Sequence, residues 1–329
     1  MTKSYIIGVD VSKEKLDVHC HSHYESFVIP NEHRGFLKLV KWISKKVCDD
    51  FSSVMVVMEY TGMYTYRFEK FLFEHGIDYV KCSALDIKRS AGIKRGKTDK
   101  ADCRMISRYG WQRREELRSM KPVSESQRNL QQLMVHRDKL VNDRASYQVR
   151  IKELQGQMQA DVNECIIAST SQVIQLLSEQ IKTITSQIEK LIESEEELLT
   201  TYQLLRSVTG IGFASAVHLI IITENFRRFT NPRKLACYSG VAPFENSSGK
   251  SIRGKTKTSY LANKKLKSLL TMAAISAIQH DPDLRTKYRQ KLEEGKAKMC
   301  VLNIIRFKLI ERTFAVMKRK TPYRLSAAA

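Results

Sequence analysis

Between Ser124 and Tyr202 the chain contains no proline and one glycine, Gly156. So long a stretch without helix breakers forms extended helices, and such helices must lie against something to be stable in water. Ile174, Leu177, Ile181, Ile184, Ile188, Leu191 and Leu198 keep the 3,4 alternation of a coiled-coil seam, broken at Glu195. Upstream, Leu130, Leu133, Leu140, Tyr147, Ile151, Leu154 and Met158 follow the same alternation, with Arg137 and Arg144 intruding. The pattern predicts paired helices, within one chain or across a dimer. A plain spacer explains it as readily as a functional assembly does.

The residues before this region read differently. Tyr5 to Val9, Leu16 to Cys20 and Ser26 to Ile29 are apolar runs of strand length. A helix around Phe36 to Val47, a strand at Ser53 to Met58, a helix from Tyr64 to His75 and a strand at Tyr79 to Cys82 follow. Three strands, then helix, strand, helix, strand, is the ribonuclease H order of elements. Residues 86–98, DIKRSAGIKRGKT, read as a basic loop whose last residue, Thr98, caps a helix from Asp99 to about Arg108. The fold class expected is therefore α/β plus α: a catalytic domain over 1–115, a helical coiled-coil region over 116–203 and a basic, mainly helical domain over 204–329.

Charge separates the last of these from the rest. Residues 201–329 hold 25 Lys and Arg against 7 Asp and Glu, which is +18 of the total +21. A field of that strength draws in polyanions by counterion release, and nucleic acid fits it better than a membrane surface, which would want an amphipathic basic helix with bulky anchors. No apolar stretch nears membrane-spanning length, and the apolar start is cut short by Asp10, unlike a signal peptide. Seven cysteines without a CxxC pair argue against a disulfide framework or zinc ribbon and for a reducing cytoplasm.

Four carboxylates stand where chemistry needs them. Asp10 ends the first strand, Glu59 ends the run VMVVME, and Asp99 and Asp102 share one helix face. Converging at one sheet edge, they offer the oxygen donors that two divalent cations require for phosphodiester chemistry. Each alone is more simply a turn, cap or macrodipole residue. Further on, LLRSVTGIG places Gly210 and Gly212 between helices, as a helix-hairpin-helix does where backbone amides meet a phosphate, although a tight turn reads almost equally well. ENSSGKSIRG is a polar loop with three serines, Ser247, Ser248 and Ser251. Its GKS echoes a phosphate-binding loop, but Phe244 stands where the first glycine belongs, and the nucleotide reading fails. His19, His21 and His23 alternate along a strand and could hold a transition metal, yet an exposed hairpin face is the commoner reason for such spacing.

GVDVSKEKLDV, MEYTGMY, KTDKADCRMI, LLRSVTGIG, YSGVAPFENSSGKSIRG and LKSLLTMAA, in this order, resemble the Piv-type DNA invertases and DEDD transposases of bacterial insertion sequences. The resemblance spans nearly the whole chain. It implies a RuvC-like ribonuclease H domain with Asp10, Glu59, Asp99 and Asp102 as a tetrad binding Mg²⁺ or Mn²⁺, a coiled coil, and a helical transposase domain. It also implies a serine nucleophile that becomes joined to DNA. The family's Ser-Gly pattern falls on Ser248, with Ser247 and Ser251 as near rivals. Lys250, Arg253 and Lys255 flank it and would suit phosphates, although a solvated charged loop explains them about as well. A serine needs activation, and a tetrad carboxylate or its cation would supply it, so the two domains must meet. Double-stranded DNA, a structured guide RNA and a dimer or dimer of dimers are the partners implied. Tyr60 stands where the family has a small residue. A junction-resolving, metal-dependent endonuclease would share the tetrad without the serine, and a nucleic-acid-binding scaffold would need only the coil and the basic domain.

Overall fold

The apolar runs at the start of the chain form an antiparallel meander of Tyr5–Val11 (β1), Lys15–Cys20 (β2) and Glu25–Pro30 (β3). Helix α1, His33–Trp42, is extended by a π turn over Ile43–Val47 and leads to β4, Val54–Glu59. Helix α2, Tyr66–Glu74, then leads to β5, Asp78–Cys82. The strands assemble in the order β3-β2-β1-β4-β5, with β4 parallel to both β1 and β5. This mixed sheet fits the ribonuclease H-like layout. The computed structural model describes residues 3–60, 62–90, 92, 99–155, 160–248 and 252–325. The chain divides into two units, Met1–Val123 and Ser124–Ala329.

The central strands are apolar on both sides because both sheet faces are covered. Ile7, Val9, Leu16, Val18, Val56 and Met58 pack with Phe36 and Leu39 of α1 and Phe68 and Leu72 of α2. On the other face Ile6, Met55, Val57 and Val80 meet Ile87 of α3, Ala84–Ser90, and Ile106 and Tyr109 of α4, Asp99–Gln112. The basic segment expected as a loop thus begins as a helix. Asp86 in its first turn and Lys88 and Arg89 in its last complement the macrodipole, while Ile87 supplies the buried contact. The rest of that segment, residues 91 and 93–98, lies outside the described residues.

Gly8 decides how closely α4 approaches the sheet. A Cβ there would lie 2.3 Å from the backbone nitrogen of Ser107 and 2.5 Å from the carbonyl oxygen of Cys103. Gly110 makes the matching approach from the helix, against Val57 and Ile6. Gly8→Ala is therefore expected to push α4 off β1 and cost about 1–3 kcal/mol, as overpacking does. Thermal unfolding checks this, and an unchanged melting curve would mean that α4 is not held by this contact.

The Pro-free region forms two long helices, α5 (Glu125–Gln155) and α6 (Ala160–Glu193). Ser124 opens α5 by accepting a hydrogen bond from the Gln127 amide, 3.2 Å. The two helices pack on each other within the chain. The arginines that intrude on the seam have partners: Arg137 Nε donates to Thr185 Oγ1 at 2.8 Å and Arg144 Nη1 to Ser178 Oγ at 3.3 Å. A step of seven along α5 matches a step of seven back along α6, as an antiparallel hairpin demands.

This hairpin shares one core with the helices that follow: α7 (Glu196–Ser207), α8 (Phe213–Thr223), α9 (Pro232–Tyr238), α10 (Lys264–His280), α11 (Pro282–Glu293) and α12 (Lys298–Arg319). Leu130, Met134, Ile188 and Ile192 are buried in the same cluster as Leu205, Leu219, Leu270 and Leu309. Asp138 of α5 is clamped between His218 Nε2 at 2.9 Å and Lys265 Nζ at 3.0 Å. Burial pushes the Asp138 carboxyl up, but those two hydrogen bonds outweigh it and hold it below the usual range.

Ile188 is fully buried in this core. Ile188→Ala is expected to destabilise the C-terminal unit by about 2–5 kcal/mol and leave oligomer mass unchanged. Denaturant unfolding with light scattering checks both. A fall in mass with unchanged stability would put the seam between protomers.

Candidate active site

Strand register brings the first two predicted carboxylates together. Ile6, Gly8 and Asp10 alternate onto the α4 face of β1, and Val57 and Glu59 onto the same face of β4. Val9 is paired with Met58, so the next step sets Asp10 beside Glu59 at the end of two parallel strands. On the other side, Asp10 is paired with Asp17 of β2. Residues paired this way have Cβ atoms about 4.5–5.5 Å apart and share a face.

Helix α4 covers this corner with its first turns. Asp102 precedes Cys103, whose carbonyl closes on Gly8. The Cys103 thiol is pushed up to about 11, first by burial and then by the negative charges of Asp17 and Asp10. Asp102 is partly exposed; Asp99 starts the helix one turn earlier, but its side chain lies outside the described residues. Among the described residues no three His, Cys, Asp or Glu side chains stand close enough to hold a metal ion. Carboxylates repel one another until a cation binds, which favours such an open arrangement.

In the C-terminal unit, the segment expected as a polar loop is largely paired. Pro243–Ser248 (β6) and Ile252–Thr258 (β7) form an antiparallel hairpin in which Ser248 faces Ile252 and Ser247 faces Arg253. Gly249, Lys250 and Ser251 lie outside the described residues, as do the side chains of Ser247, Ser248, Arg253 and Lys255. The backbone places Ser248 at the last position of β6.

Gly210 and Gly212 do lie between two helices, α7 and α8, and Gly212 stands at the N-cap of α8. Gly210 has its own packing reason. Its φ is +93°, and a Cβ would fall 2.4 Å from the Ala273 carbonyl oxygen on α10.

Two transposase family descriptions match the chain. Residues 7–158 match the DEDD transposase of insertion element IS110, and residues 202–289 match "Transposase IS116/IS110/IS902 family". The chain is 27% identical to the pilin gene-inverting proteins of Moraxella lacunata and Moraxella bovis over 334 aligned residues, 98% of each chain. An uncharacterised 43.6 kDa protein of insertion element IS110 from Streptomyces coelicolor is 27% identical over 160 residues, 49% of this chain and 38% of that one.

The chain belongs to the Piv-type DNA invertase and IS110 transposase family.

It is thus a DNA recombinase by family. Among its described residues no helix is long and apolar enough to cross a membrane. Two details of the candidate site needed the structure. Asp17, 5% exposed and ion-paired with Lys15 at 3.1 Å, joins the carboxylate corner. Its alternation with Leu16 and Val18 was the available signal, but only the β1–β2 register aligns it with Asp10. Tyr60 fits although it is bulky: its amide continues the ladder to the Cys82 carbonyl at 3.1 Å, and its half-exposed ring lies 5.1 Å from the Lys81 ammonium.

The three alternating histidines of the recombinase take three different partners. His19 Nδ1 is 2.8 Å from Ser26 Oγ, His21 stacks on Trp111, and His23 Nδ1 is 3.5 Å from Cys20 Sγ. Alternation along β2 ends at Cys20, and the turn that follows points the last two rings separately. The histidine metal site considered from spacing is therefore not assembled among the described residues.

Proposed function

We propose that this recombinase cuts and rejoins double-stranded DNA through a covalent serine intermediate, with a RuvC-like catalytic domain over 1–115 holding Mg²⁺ or Mn²⁺. The observation that carries this reading is the register that sets Asp10 beside Glu59, with Asp102 on the helix that covers them. Asp10, Glu59, Asp99 and Asp102 offer only carboxylate oxygens, the donors that hard divalent cations take. A cation held there would polarise phosphoryl oxygens and offset charge on the attacking and leaving oxygens.

Ser248 is the nucleophile in this reading. Its hydroxyl loses a proton to a carboxylate as the Oγ–P bond forms; the P–O bond to one deoxyribose breaks, and that sugar oxygen takes up a proton and leaves as a hydroxyl, so no net proton is consumed. Attack by a sugar hydroxyl on the phosphoserine reverses these events, so resealing consumes no ATP. Lys250, Arg253 and Lys255 would meet phosphates near the break, and the backbone around Gly210 and Gly212 would meet phosphates further along.

A structured guide RNA and a dimer or dimer of dimers complete the reading, on the strength of the family resemblance. Outward-facing Val162, Val173 and Leu176 on α6 offer apolar surface for such assembly. Seven free cysteines are consistent with work in a reducing cytoplasm.

One experiment divides the alternatives. The protein is incubated with cognate DNA and Mg²⁺ and the products are separated under denaturing conditions. A protein-linked strand is expected. Free nicked ends would instead mean a resolvase-like endonuclease, and unchanged DNA a binding scaffold.

A further inference from the structure

The sheet face that carries Asp10 and Asp17 continues away from them as a strip of rings and cations. Along β2 the alternation runs Asp17, His19, and the turn beyond it brings His21 to the same side. On α4, Arg104, Arg108 and Trp111 are spaced four and three apart and so form one stripe, with both arginines exposed. Arg104 is close enough to His19, and Arg108 and Arg114 to His21, to add to the effect of burial in lowering those imidazole pKa values. Neutral imidazoles at pH 7 leave the rings as stacking surfaces rather than charges.

The rings are already arranged as a pile. The Arg114 guanidinium lies 4.3 Å from the centre of the Trp111 ring, and His21 stacks on Trp111 at 5.1 Å and 24°. Tyr24 follows, 5.9 Å from His21 and tilted 35°, with His19 edge-on at 6.2 Å. Tyr24 ends the pile in an unusual state. Its side chain is 77% exposed and its φ is +52°, a conformation that glycine or asparagine adopts at less cost. A bulky ring held at a strained turn, and not used for the core, needs a reason outside the fold.

We propose that this strip is a stacking platform for unpaired nucleotides, with a base on the open face of Tyr24 and the neighbouring phosphates on Arg104 and Arg108. Single-stranded polynucleotides are held in this way, by sequence-tolerant stacking on aromatic rings flanked by cations. A duplex has no free base face to offer. From Trp111 back to Arg104 the helix rises about 10 Å toward the turn bearing Asp102, so a strand lying here runs toward the carboxylate corner. The platform deepens the proposed function: it would hold an unpaired strand leading to the site of cleavage. DNA and RNA share the stacking chemistry.

Full-length protein is titrated with fluorescein-labelled unpaired oligonucleotides of mixed sequence, one DNA and one RNA, and with a blunt-ended duplex that has no loop. Tyr24→Ala is expected to lose roughly 5- to 150-fold in affinity for the unpaired strand and nothing for the duplex. Tyr24→Phe keeps the ring face and stays within about twofold. Tyr24→Gly relieves the backbone and should hold or raise the melting temperature while losing affinity like Tyr24→Ala, which separates stacking from folding. Oligonucleotides carrying 5-iodouracil should cross-link to Tyr24 or His21 on irradiation, and the arm that does so names the nucleic acid. Equal affinity of wild type and Tyr24→Ala for both unpaired strands, an equal loss on duplex, or cross-links only elsewhere would overturn the platform. Covalent adduct formation is scored separately: adduct without platform removes this inference alone, and platform without adduct removes the serine mechanism alone.

Discussion

Asp10→Asn and Glu59→Gln are each expected to lower the strand-cleavage rate at least a thousandfold while the protein stays folded. A cation's contribution to phosphoryl transfer is several kcal/mol, and each ~1.4 kcal/mol is tenfold in rate. Both substitutions keep the side-chain shape and remove one negative charge from a corner where Asp10 is paired with Asp17 and set beside Glu59. Asp17→Asn should behave in the opposite way. Asp17 is buried and ion-paired with Lys15, so its neutral form loses stability first and rate second. Cleavage of cognate DNA in Mg²⁺, followed by denaturing electrophoresis beside thermal melts, checks all three. Full activity of Asp10→Asn or Glu59→Gln would remove that residue from the metal-binding set.

Ser248→Ala should leave DNA binding intact and eliminate both the covalent adduct and all recombined product. The change deletes one oxygen at the end of β6, and the hairpin is held by backbone pairing that alanine retains. The surrounding charge, +18 over residues 201–329, is untouched, and that charge supplies most of the affinity for a duplex. Loss of a nucleophile removes the covalent path altogether rather than slowing one step. Ser248→Cys keeps a nucleophile of different size and would retain trace activity at most. Peptide mapping of the trapped adduct decides the assignment. Attachment at Ser247 or Ser251 would move the nucleophile and keep the mechanism, and a wild-type enzyme that cleaves without any adduct would abolish it.

Much of the candidate site was legible because its residues sit at points where local pattern is informative. A carboxylate at or next to the end of an apolar strand, as Glu59 and Asp10 are, is marked by the change of polarity itself, and DxxD on a helix is marked by spacing. Asp17 was not legible, since within KLDVHC it reads as the polar half of an ordinary alternation. The serine segment was read as a loop because its polar, glycine-containing composition carries a turn signal, while the β6–β7 pairing depends on which residues face one another. Arg137 and Arg144 looked like faults in an apolar seam. They are reconciled by Thr185 and Ser178, polar positions on the facing helix, which single-helix periodicity cannot match up.

The sequence by itself determined most of the strands and helices of the first unit, the face each presents to a core, and the placing of carboxylates toward the strand ends. Those properties follow from side-chain period and from Gly, Pro and polarity breaks, all of which act over a few residues. Only the tertiary structure decided that Asp17 stands opposite Asp10, that α5 folds back on α6 and joins the C-terminal core, and that Tyr24 caps a pile of rings ending at Arg114. Each of these is a long-range pairing whose register is set by the packing of whole elements, and no local pattern encodes which partner lies across the gap.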